Sequence, residues 1–93
     1  MEKIIKRGIF YGYKVSDYVV IHKIKGIEDF WYMNVNKLNI INFRLCEKNC
    51  NEDEIYRHVM LELKKIQFSL HNEVLKINGI ISNVFLSNLK DNE

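Results

Sequence analysis

The chain contains no alanine, threonine or proline, while isoleucine, lysine and asparagine are abundant. Ile, Lys and Asn have AT-rich codons and Ala and Pro have GC-rich ones, so the bias points to an AT-rich genome, or to a phage or plasmid living in one. Because that bias sets the proline count, the missing prolines carry little structural information. Cysteine is scarce as well: Cys46 and Cys50 are too few for a disulfide framework and read as reduced thiols of a cytosolic protein. Apolar runs are only a few residues long, as in Tyr18-Val19-Val20-Ile21, far short of the ~20 that cross a bilayer. The basic residues Lys3, Lys6 and Arg7 are not followed by an apolar segment with a small-residue cleavage site, so no secretory signal is expected. The expected setting is therefore cytoplasmic, without membrane. A formal charge of +2 neither demands nor excludes nucleic acid, since binding depends on where cations cluster.

What is present fits one small domain. With 93 residues, 47% hydrophobic and 28% charged, the chain matches soluble globular composition, and its core is small enough that a dimer partner would help it. Residues 1–46 hold most of the aromatic and β-branched residues in period-2 stretches, which predicts strands near 8–15, 18–25, 29–35 and 39–46. Ser16-Asp17, Gly26 and residues 34–39 supply the turns, giving a four-stranded antiparallel meander. Trp31, Met33 and Val35 should face the core, as should Ile41, Phe43 and Leu45, opposite Asn42 and Arg44. In the second strand Val19 and Ile21 share a face with Lys23 and Lys25, which leaves its inward side open.

Residues 52–77 predict a helix. Asn49 or Asn51 can cap it, Glu52, Asp53 and Glu54 suit its positive end, and Asn78-Gly79 can stop it. Ile55, Val59, Leu63, Ile66, Leu70, Val74 and Ile77 form one stripe, within roughly 100° of arc, that would cover the sheet. Such a helix spans about 39 Å, against a four-stranded sheet under ~20 Å across, so part of it overhangs unless it breaks near Ser69 to Asn72. Leu61, Phe68 and Leu75 recur every seven residues on the opposite side, among Arg57, Lys64 and His71. Three large apolar groups on a basic face want a cover. Residues 80–89, as a short helix or strand, are one candidate cover, through Ile80, Ile81, Val84, Phe85, Leu86 and Leu89. A homodimer or a foreign protein packed helix to helix is the other.

Catalytic and metal signatures are weak throughout. Cys46, Cys50, His58 and His71 are the one set resembling metal ligands, but the histidines lie thirteen residues apart on one helix. About 20 Å separates them along its axis, so they cannot share an ion. Cys50, His58 and Glu54 or Glu62 can be drawn as a nucleophilic trio, yet an exposed helix face offers neither a pocket nor an oxyanion hole. Glu62-Leu63-Lys64 has a nuclease-like spacing with no second carboxylate. The glycines Gly8, Gly12, Gly26 and Gly79 are scattered and make no phosphate-cradling loop. Arg7-Gly8 followed by aromatics superficially matches an RNA-recognition strand, but Ile9 stands where an aromatic should stack. Tyr11 and Tyr13 read as core or edge residues, and Gly12 as a bulge or a close approach.

The expectation is thus an α+β fold: a four-stranded antiparallel meander packed on one long helix, completed by residues 80–89 within a single domain, 1–93. The expected function is non-catalytic protein binding, as a regulator or inhibitor of mobile-element origin, needing neither cofactor nor metal. Leu61, Phe68 and Leu75 would make the contact, and Arg57 and Lys64 a rim favouring an acidic partner, with the chain itself as an alternative partner. A second alternative is single-stranded nucleic acid on the outer sheet face, through Phe10, Lys14, Lys23, Phe30, Tyr32 and Arg44. A third is a small polar ligand held by His22 with Tyr11 or Tyr13.

Overall fold

The computed structural model describes residues 1–91, with backbone alone at Ile9, Phe10 and Asp91. Five strands follow one another as β1 (Glu2–Lys6), β2 (Ile9–Lys14), β3 (Val19–His22), β4 (Phe30–Val35) and β5 (Ile40–Glu47). They pair antiparallel in sequence order, and α1 (Glu52–Ser69) and α2 (Val74–Asp91) complete the α+β fold. The meander has one strand more than the period-2 pattern indicates. β1 is an edge strand with only Ile4 half-buried, so its burial pattern lacks the alternation that marks a strand. It exists because Arg7 and Gly8 both take positive φ, 55° and 75°, and make a two-residue turn that matches strand twist.

β2 carries an extra residue opposite the Ile4–Ile5 step, where Ile4 pairs with Gly12 and Ile5 with Phe10. This bulge rephases the strand. Tyr13 packs towards the core beside Trp31, whereas Tyr11, two residues away, stacks on His22 across the sheet's other face. Gly12 is needed where β2 meets β3: a methyl group there would run into the Ile21 carbonyl oxygen and lie 3.0 Å from the His22 Cα.

The core sits between the sheet and the helices. Val19 and Ile21 enter it, because β3 ends at His22, before Lys23 and Lys25 can claim the same face. Trp31, Met33 and Val35 join them, with Leu45 and Cys46 from β5. Ile41 is instead exposed, because Asn42 takes a left-handed φ of 56° and breaks the alternation that carries Phe43 and Leu45 inward. The indole N–H of buried Trp31 meets no acceptor among the described residues, and the Lys23 ammonium lies 4.7 Å from its ring centre.

α1 begins in a capping box: Asn51 Oδ1 accepts from the Glu54 N–H at 2.9 Å and Glu54 Oε1 accepts from the Asn51 N–H. Ile55, Val59 and Leu63 are buried against the sheet. The single helix over 52–77 is not formed. Leu70 leaves helical geometry at φ −111°, ψ 73°, a tight turn over His71–Glu73 follows, and α2 starts at Val74. The break removes the overhang and returns Ile77, Ile80 and Val84 to the core as fully buried side chains. Asn78-Gly79 therefore lies inside α2 and does not stop a helix; that tertiary burial outweighs the cost of about 1 kcal/mol for an interior glycine. Midway along its length α2 is tied to the β2–β3 turn, where the Asp17 N–H donates to Asn83 Oδ1 at 3.1 Å.

Gly12→Ala should destabilise the fold by about 1–3 kcal/mol through overpacking against β3. Thermal melting should show the midpoint falling by about 4–8 °C for each kcal/mol. An unchanged midpoint would mean that the β2–β3 approach is looser than described.

Candidate functional site

Both helices bury one side on the sheet, so their opposite sides look outward. On α1, Leu61 and Phe68 lie roughly 180° around the helix from the Ile55–Val59–Leu63 stripe. Leu75 occupies the equivalent side of α2, just beyond the elbow. Their exposures are 49%, 82% and 87%. Because the helix breaks between Phe68 and Leu75, the seven-residue pattern is split across the elbow and is not one seam on one helix. His71, in the elbow turn, lies beside the Phe68 ring at 6.4 Å between centres.

Residues 80–89 do not cover these side chains. α2 spends Ile80 and Val84 on the core, with Ile81 packed against it, and leaves Phe85, Leu86 and Leu89 exposed. The C-terminal segment thus enlarges the open apolar surface. Arg57 and Lys64 also point outward and form no ion pair with described residues, whereas Lys65 and Lys76 are held by Glu62 and Glu73. The carrying signal for Phe85, Leu86 and Leu89 was present in their spacing from Leu75. Ile80 and Val84 of the same segment lie on the opposite side of α2, so residues 80–89 do not act as one apolar surface.

The outer sheet face is organised differently from the expected single-strand platform. Tyr11 and His22 are stacked at 5.6 Å and 3°, and Tyr32 lies beyond His22 at 6.4 Å. Tyr32 is only 8% exposed, so its ring is spent on its neighbours. Lys6 lies 5.9 Å from the Tyr11 ring centre and Arg44 3.4 Å from that of Phe30. Lys14 is drawn to Asp17 at 3.3 Å. Lys23 lies beyond the end of β3, its ammonium over the Trp31 ring, and does not join Phe30, Tyr32 and Arg44. The Phe10 side chain lies outside the described residues. Of the six nucleic-acid candidates, Phe30, Tyr32 and Arg44 are brought together, and each cation among the six that is described is engaged with a ring or an acid.

His22 is buried and hydrogen-bonded. Its Nε2 lies 3.2 Å from Asn34 Oδ1, which already accepts from the Asn42 N–H at 2.7 Å, and its Nδ1 lies 3.2 Å from the Lys23 carbonyl oxygen. Both oxygens only accept, so a neutral imidazole, with a single N–H, serves one of them at a time. Tyr13 is on the other side of the sheet from Tyr11, so the three do not converge on one ligand. A cleft of about 610 Å³ opens between the end of α2 and the β2–β3 turn, lined by Glu2, Lys14, Ser16, Asp17, Asn83 and Lys90 among others. Its charges are partly spent on one another. Hydrogen bonds from Asn83 and Lys14 hold the Asp17 carboxyl below its ordinary value.

Cys46 is buried at the end of β5, and Cys50 lies half-buried in the loop before α1. His58 and His71 belong to α1 and to the elbow turn, and no group of three or more His, Cys, Asp or Glu among the described residues is placed to hold a metal ion. No described helix is long and apolar enough to cross a membrane. No family model, curated protein or solved structure matches the chain.

Burial, reinforced by the Cys50 contact, pushes the Cys46 thiol up to about 12 from an ordinary 9.0. An aromatic disulfide reagent at pH 8 should therefore modify Cys50 first and reach Cys46 only on unfolding. Above pH 9 the unfolded chain holds fewer protons at Cys46 than the native one, so this thiol lowers stability as pH rises from about 9 towards 12. Urea midpoints between pH 8 and 11 should fall less steeply in Cys46→Ala than in the parent; equal slopes would remove Cys46 as a cause.

Proposed function

We propose that the chain is a non-catalytic protein-binding module that acts as a regulator or inhibitor by covering a surface of its partner. The contact face is the outer side of α1 and the elbow: Leu61, Phe68 and Leu75, with Arg57 and Lys64 as a cationic rim. The observation that carries this reading is the exposure of Phe68 and Leu75 on either side of the elbow, with no segment of the described chain over them. Transferring a Phe or Leu side chain from water into an interface is worth about 1.5–3 kcal/mol. Large apolar side chains clustered in the open mark interaction sites in soluble proteins. The rim favours a partner with carboxylates at its edge, through faster encounter and orientation.

A photo-crosslinking phenylalanine analogue at position 68 should capture a protein in cells, and the same analogue at position 25 should not. Phe68→Glu, introduced with the analogue placed at position 61, should lose that capture while its melting midpoint stays near the parent value. Equal capture from positions 25 and 68, or capture that survives Phe68→Glu, would overturn the reading.

A further inference from the structure

We infer that the cleft between the second half of α2 and the β2–β3 turn is a binding site for a zwitterionic amino acid with an apolar side chain. Its volume of about 610 Å³ is that of a small-molecule site. Two opposite charges in its lining are left without partners. Lys14 stands across from Glu2 in the β1–β2 register, yet its ammonium turns to Asp17 at 3.3 Å. Glu2 is thereby left with no ion pair among the described residues, and so is Lys90 on the α2 side of the same cleft. A carboxylate and an ammonium that share a cleft without meeting fit a ligand that carries both charges itself.

The balance of charge selects among ligands. The lining holds two carboxylates, Glu2 and Asp17, and two ammoniums, Lys14 and Lys90, so a ligand with net charge gains little there and a dipolar one gains at both ends. Ser16 adds a donor. It lines the cleft at 3% exposure, and its Oγ accepts from the Tyr18 N–H at 3.4 Å, but its own proton meets no acceptor among the described residues. A buried donor left unpaired is costly, and a ligand carboxylate supplies the acceptor.

The side chain of the ligand is read from the helix. Leu86 and Leu89, 60% and 47% exposed, lie three residues apart on α2, and both line this cleft together with buried Val15. Lys90 and Ser16 thus take the carboxylate, Glu2 takes the ammonium, and the two leucines with Val15 receive an aliphatic group. The cleft shares no residue with the face proposed above, so the inference does not rest on that reading.

Titration of the isotopically labelled chain with L-leucine should give saturable amide shifts at Ser16, Asp17 and Ser87. Isocaproate, which lacks the ammonium, isoamylamine, which lacks the carboxylate, and glycine, which lacks the side chain, should each bind about tenfold more weakly or worse. Glu2→Gln and Lys90→Gln should each weaken L-leucine about tenfold while the melting midpoint stays near the parent value. Phe68→Glu should bind L-leucine as the parent does, which separates this site from the face on α1. The inference fails if L-leucine gives no saturable shift, or if either single-charge analogue binds as well as L-leucine, since the cleft then takes a simple anion or cation. Parental affinity in Glu2→Gln or in Lys90→Gln sinks it equally.

Discussion

Everything in this fold depends on covering one apolar sheet face with the chain that follows it. The meander presents Val19, Ile21, Trp31, Met33 and Val35 on a single side, and only residues beyond 50 remain to bury them. A straight helix over that length would leave its second half in water. The break at Leu70 forfeits helical hydrogen bonds locally, and it offsets that loss by bringing Ile77, Ile80 and Val84 into the core, at about 1.5–3 kcal/mol for each buried side chain. The elbow is thus a product of core formation. The apolar side chains on the other side of both helices are left over from it.

This explains which features could be read from sequence. Trp31, Met33 and Val35 share the core face of β4 at every second position, and the capping box at Asn51 is a local motif that needs nothing from the rest of the fold. β1 was hidden because an edge strand buries almost nothing, and its turn uses Arg7 in a conformation that sequence assigns to Asn or Gly. The limits of the helices were hidden for another reason. Gly79 is a local stop signal overruled by tertiary burial, and Leu70, which carries no stop signal, is where the geometry of the sheet forces the turn. Length alone pointed to the region of the break, since a helix of that span outruns its sheet.

The candidate sites follow the same division. The exposure of Leu61 and Phe68 was legible because lying opposite a buried stripe is a property of one helix, whereas Leu75 belongs to α2 and joins them only through the elbow. Whether anything covered them depended on the path of α2, which periodicity does not encode. On the other side of the sheet, the bulge at Tyr11 turned its ring onto His22, and cations settled beside the Tyr11 and Phe30 rings. An aromatic and basic surface that looks available in the sequence is largely occupied by its own members once the strands are in register.

The two ends of the sheet have a consequence for how the protein behaves before and after it folds. A meander leaves an open edge at β1 and another at β5, each a row of backbone donors and acceptors able to recruit a strand from another chain. β1 sets Glu2, Lys3 and Lys6 along a stretch of five residues. β5 is kinked at its outset by the left-handed Asn42, whose N–H is turned to the Asn34 side chain. Charge guards one edge and twist the other, so the apolar Ile40-Ile41 stretch is denied a flat ladder on which to nucleate amyloid-like stacking.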